Sequence, residues 1–201
     1  NFLELTDSSN YIRRVKTSKY VFDGISDAMS ADPPIEGKLN IYIANLRENL
    51  LGQATFDHGN KWGACVVYYM SVGSILLPAR PVADWPYGIG RTLTHEVGHV
   101  FSLDHPWLSN CNTTLYNDVP RTKNPNTVAT LDNGGSGGNK DNDMKGVNSP
   151  FKSCTGDTPI ASGGYYELFY QYMEYVTDEN MVMFSNDESD AMYTWLDTTG
   201  R

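Results

Sequence analysis

The chain is poor in positive charge, in histidine and in cysteine. Fifteen Lys and Arg stand against 24 Asp and Glu, a formal net charge of −9. A phosphate backbone would be repelled by that balance, which excludes nucleic acid as the expected partner. Most of the acidity reads as solvated surface. No apolar run approaches the about 20 residues that a membrane-spanning helix needs; the strongest, Ile75-Leu76-Leu77, is closed by Pro78. The sequence opens at Asn1 without a secretory leader, so any targeting or pro-segment is expected to have been removed or left out. With 201 residues, 40% of them hydrophobic, the chain can bury one core. A single domain in two lobes, 1–102 and 103–201, is expected.

The three cysteines, Cys65, Cys111 and Cys154, cannot all pair with one another. Cys65 lies in the β-rich run Ala64-Cys65-Val66-Val67-Tyr68-Tyr69 and reads as a buried thiol acting as a small hydrophobe. Cys111 and Cys154 flank a polar, loop-rich stretch, where a disulfide would help most. Their pairing predicts an oxidising compartment, hence secretion.

Three of only four histidines are gathered in His95-Glu96-Val97-Gly98-His99 and His105. Histidines four apart on a helix lie on one face, so both imidazoles can point at one metal ion. The glutamate beside the first can hold and deprotonate a water. A histidine six residues further on completes three protein ligands and leaves a fourth position open. Zinc suits this set, because it favours neutral imidazoles and three ligands with an open position mark a catalytic site. Short HExxH strings do recur by chance, and buried histidines are commonly core residues with their hydrogen bonds met. The third histidine at ligand distance argues against both. His58 has no partner at ligand spacing and reads as a surface or sheet histidine.

Ile89, Leu93, Val97 and Val100 recur at helical spacing, predicting a metal helix over Gly90–Phe101. Phe2–Thr6, Leu39–Ala44 and Ala64–Met70 have strand composition. Val21, Phe22, Ile25, Ala28 and Met29 predict a helix before Pro33-Pro34, with Gly24 against it. Pro78, Pro81 and Pro86 punctuate a loop into the metal helix. Residues 106–164 are rich in Asn, Asp, Gly, Pro, Ser and Thr and read as irregular, with a flexible glycine-rich loop over 132–139. Ala191, Met192, Trp195 and Leu196 predict a C-terminal amphipathic helix, with Asp187 and Glu188 at its N-terminus.

Gln171-Tyr172-Met173-Glu174-Tyr175 is the second informative segment. Met173 can form a hydrophobic floor under three imidazoles. Tyr175 can turn a phenol toward the metal and bond a developing oxyanion. Alone, an aromatic-rich stretch of this kind is ordinary core.

Together these segments resemble the pappalysin-type metzincin peptidases. The likeness is carried by Leu39-Asn40-Ile41-Tyr42-Ile43, Leu50-Leu51-Gly52-Gln53-Ala54-Thr55-Phe56 and Gly90–His99. Gly156-Asp157-Thr158-Pro159, Tyr172–Tyr175 and Met181-Val182-Met183-Phe184 extend it. It implies an α/β (α+β) catalytic domain of metzincin type. The upper mixed-sheet lobe would carry the zinc helix; the lower, irregular lobe would carry the Met-turn at Met173 and the C-terminal helix. Ser102 replaces the family's glycine between the second and third histidines. Asn180 replaces a family cysteine, leaving Cys111 and Cys154 as the natural pair. The family usually has a further strand and helix ahead of residue 1, and 132–146 looks like an insertion. Calcium sites occur in the family's lower lobe. An EF-hand loop at Asp141 fails, with Lys145 and Lys152 at positions five and twelve. A non-EF Ca2+ site near Asp141 and Asp143 and a plain solvated loop both stay open.

The resulting expectation is a secreted zinc metalloendopeptidase acting on protein or peptide substrates. His95, His99 and His105 would bind Zn2+, Glu96 would serve as general base and Tyr175 as oxyanion partner. Ala64–Met70 is expected to present the edge strand on which an extended peptide lies. Asp178, in Val176-Thr177-Asp178-Glu179-Asn180, matches a pocket-base carboxylate in family members selective for basic residues, predicting cleavage before Arg or Lys. A catalytically impaired peptide-binding scaffold and a zinc hydrolase of non-peptide substrates are the alternatives.

Overall fold

A computed structural model describes residues 12–55, 63–74, 76, 85–109, 115–119 and 170–199. Helix α1 spans Ile25–Ala31 and strands β1, β2 and β3 span Leu39–Ala44, Gly52–Ala54 and Gly63–Tyr68. A 3₁₀ turn over Tyr69–Ser71 follows, then helix α2, Arg91–Val100, a second 3₁₀ turn, Pro106–Ser109, and helix α3, Asn186–Thr199.

The three strands form one sheet in the order β1-β3-β2, with β1 parallel and β2 antiparallel to β3. Ala64, Cys65, Val66 and Val67 of β3 are fully buried, as a central strand covered on both faces requires. Side chains alternate along β3. Ala64 and Val66 join Phe22, Ile25, Ala28 and Leu46 in a core under α1, while α2 also packs against β3 and β2. The mixed α/β half is as expected, but β3 is not an edge. The edge beside α2 belongs to β2, three residues long and too short to show strand periodicity.

Helix α1 is shorter than the sequence pattern suggests. Phe22 bridges to Leu46 in extended backbone, and the helix starts only after Gly24, where the Gln53 side chain accepts the Ile25 N–H at 2.9 Å. The strand expected to run to Met70 ends at Tyr68. The C-terminal helix forms as expected, and its start is a reciprocal cap. Ser185 N–H donates to Glu188 Oε2 at 2.8 Å and Glu188 N–H to Ser185 Oγ at 3.1 Å. Trp195 of α3 lies 5.6 Å from the Phe101 ring, tying that helix to the exit of α2. The Phe2–Thr6 strand, His58, the Cys111–Cys154 pair, the 132–146 insertion and Asp141 and Asp143 lie outside the described residues. No helix among those described is long and apolar enough to cross a membrane.

Candidate metal centre

His95 and His99 stand one turn apart on the buried face of α2, with their Nε2 atoms 3.1 Å apart. The helix then closes in two paired bonds. Ser102 N–H donates to the His99 carbonyl at 2.9 Å and Leu103 N–H to the Gly98 carbonyl at 3.0 Å. This is a Schellman closure, which needs a left-handed residue at its turn. Ser102 fills that position at φ 69°. The reversal brings His105 Nε2 to 2.9 Å from His99 Nε2 and 3.2 Å from His95 Nε2.

Two backbone carbonyls fix the ring orientations. The Nδ1 of His95 lies 2.6 Å from the Tyr172 carbonyl oxygen, and that of His99 2.7 Å from the Leu103 carbonyl oxygen. A carbonyl can only accept, so each Nδ1 carries the proton and each Nε2 presents a lone pair. Burial, reinforced by His99, lowers the pKa of His95 to about 3. Burial, reinforced by His99 and His95, lowers that of His105 to about 2. Neutral imidazoles whose Nε2 atoms converge this closely repel unless a cation lies among them. A tetrahedral zinc with ligands at about 2.05 Å sets its nitrogens about 3.3 Å apart, close to the spacings here. Among the described residues this trio is the group of His, Cys, Asp and Glu side chains able to hold a metal.

Glu96, on the same helix, is buried, and burial raises its pKa to about 8. It packs against Gly52 on β2, where a Cβ would lie only 2.5 Å from Glu96 Oε1. Met173 is fully buried against Gly98, where a Cβ would stand 2.6 Å from its sulfur. The absence of a side chain at Gly98 thus lets the methionine seat under the helix between the first two ligands. Tyr175 is part-exposed, its ring centroid 5.7 Å from that of His95 and 5.0 Å from that of His105. Burial first, then the charges of Glu96 and Glu174, raise its pKa, so the phenol keeps its proton.

A cavity of about 280 Å³ opens beside these groups, lined by Leu51, Gly52, Tyr87, His95, Glu96 and Tyr175 among others. A larger one, about 630 Å³, runs along β1 and contains none of them. Asp178 is buried behind the cavity wall instead of lining it. Its Oδ2 accepts the N–H groups of Ile89 at 2.9 Å and Arg91 at 3.2 Å, capping α2 from a distant segment. The sequence reading missed Gly52, the two orienting carbonyls and Trp107, which stacks on His105. Only Trp107 left a local signal, as an aromatic two residues after the third histidine.

No family model matches the sequence, and no curated protein does. Solved structures match. Mature mirolysin of Tannerella forsythia in complex with a cleaved peptide is 26% identical, with a TM-score of 0.54 over 80% of this chain and 52% of that one. Mirolysin in complex with compound 9 is 26% identical with a TM-score of 0.65, over 94% and 66%. A mutant of Tannerella forsythia promirolysin is 28% identical with a TM-score of 0.55, over 80% and 46%. The chain spans about half to two thirds of the length of these neighbours. It has the fold of a metzincin-type zinc metallopeptidase, carried at low sequence identity.

Proposed function

We propose that this chain is the catalytic domain of a secreted, pappalysin-type zinc metalloendopeptidase. The observation that carries the proposal is the convergence of three imidazole Nε2 atoms, two of them fixed as lone-pair donors, beside a cavity that His95 and the buried Glu96 line. His95, His99 and His105 would hold the metal. When bound, zinc would polarise a carbonyl and acidify water. Glu96 accepts the proton of the attacking water and returns it to the departing amine nitrogen. Tyr175, which keeps its phenolic proton, donates a hydrogen bond to the oxyanion that develops. Strand β2 leaves its edge away from β3 beside Glu96, so an extended peptide can add there by backbone hydrogen bonds. The neighbour captured with a cleaved peptide supports a peptide substrate. The pappalysin assignment rests on the Leu50–Phe56, Tyr172–Tyr175 and Met181–Phe184 likenesses, and secretion on the Cys111–Cys154 pairing.

Selectivity before Arg or Lys follows from Asp178. One carboxylate oxygen is spent on α2, while Oδ1 is buried without a hydrogen-bond partner among the described residues. A guanidinium or ammonium brought past Tyr87 would satisfy it, and an apolar side chain would not. Asp178→Asn keeps an acceptor for the α2 amides and removes the charge. Its peptide products should lose the basic preference on the carboxyl side of the cut while total cleavage continues. Digestion of casein and a peptide library, with and without chelator, tests the whole reading. Chelator-sensitive cuts before Arg or Lys are expected. Binding without cutting would leave the impaired scaffold, and zinc-dependent turnover of esters alone would leave a non-peptide hydrolase.

A further inference from the structure

The three histidines are not held alike. Backbone carbonyls fix the Nδ1 of His95 and His99, but His105 makes no such bond among the described residues. Metal-binding imidazoles normally pass that N–H to a partner, which sets the plane of the ring. His105 instead lies flat on the indole of Trp107, with ring centroids 4.3 Å apart and planes 10° from parallel. The 3₁₀ turn that begins at the buried Pro106 carries the indole back over the imidazole. The same indole meets the Tyr175 ring edge-on, with centroids 4.8 Å apart and planes at 67°. Tyr175 in turn meets His105 edge-on at 5.0 Å. The three rings close a triangle, so His105 cannot rotate without displacing the other two. Both arrangements are ones that aromatic quadrupoles favour.

We propose that Trp107 is a positioning residue of the metal centre: its indole sets the plane of the third ligand, His105, and the station of Tyr175 beside it. The proposal rests on the reading of the three histidines as zinc ligands. Without the indole, one face of the His105 ring loses its support, so the imidazole has more room to turn in the metal-free protein and metal binding must freeze that motion. Tyr175 loses one wall of its seat, which weakens the bond it makes as the oxyanion develops and leaves ground-state binding alone.

Trp107→Leu keeps apolar bulk and removes the ring; Trp107→Phe keeps a ring that can stack. Zinc affinity is measured for the metal-free wild type and both variants by competition with a chromophoric chelator. Melting temperatures of the metal-free proteins and kcat and KM on one peptide complete the set. The leucine variant should bind zinc about 10- to 100-fold more weakly, with kcat reduced, KM held and the metal-free melting temperature unchanged. The phenylalanine variant should recover most of the affinity. Wild-type zinc affinity in the leucine variant, or an equal loss in the phenylalanine variant, would overturn the assignment. Wild-type protein that takes up no zinc would instead overturn the reading on which it rests.

Discussion

Ser102 sits at φ 69°, a left-handed conformation that closes the metal helix. A side chain there costs about 1–2 kcal/mol, offset in part because glycine gives the unfolded chain more freedom, by about 0.4–1 kcal/mol. Ser102→Gly should therefore be neutral or stabilising by up to about 1.5 kcal/mol. Urea unfolding checks this, and a lower midpoint would show that the serine hydroxyl stabilises the turn. At this scale the zinc ligands were legible in the sequence because their geometry is local: two sit on one helix face and the third follows one closure. The strain at Ser102 was legible for the same reason. Contacts such as Gly52 against Glu96, or the Asp178 carboxylate on the amides of Ile89 and Arg91, were not legible. They join segments far apart in the chain, which no local pattern reports.

Strands β1 and β3 could be read from composition, and the two later helices from the period of their apolar residues. Their order in the sheet could not, because pairing is decided by long-range contacts, and so β3 reads as an edge until its neighbours are seen. The Ser185–Glu188 cap joins α3 to the segment that carries Met173. Once its side-chain amide is turned to suit its neighbours, Gln171 donates to both oxygens of the buried Glu188. Burial, aided by the charge of Asp118, raises Glu188 to about 7. The folded chain then holds this proton more tightly than the unfolded one, whose glutamate titrates near about 4.3. Stability from this group is full below that value and is lost as pH rises toward 7. Glu188→Gln keeps the cap, since glutamine also serves at that position, and removes the titration. The melting temperature of the variant should gain on wild type steadily from pH 5 to 7; parallel curves would mean that Glu188 titrates as a free side chain.

Across the whole molecule, a sheet between two helices supports one wall of a cavity, and the segment from Tyr170 to Phe184 supplies the other through Tyr175, Val176 and Met181. Cys65 is a buried free thiol, its pKa raised to about 12 by burial and by Glu96. Denatured protein should titrate with one thiol, mapped to Cys65, with Cys111 and Cys154 joined; three free thiols would remove the support for secretion. The central claim is that this fold holds zinc on three histidines and moves protons with Glu96. It is tested most directly by Glu96→Ala, loaded with zinc and assayed on a peptide that the wild type cleaves. Glu96 is not one of the three ligands, so metal analysis should find one zinc per chain in both proteins. Cleavage should fall by at least about 10²–10⁴-fold, the contribution of a general base. A zinc-loaded alanine variant that cuts near the wild-type rate would contradict the account.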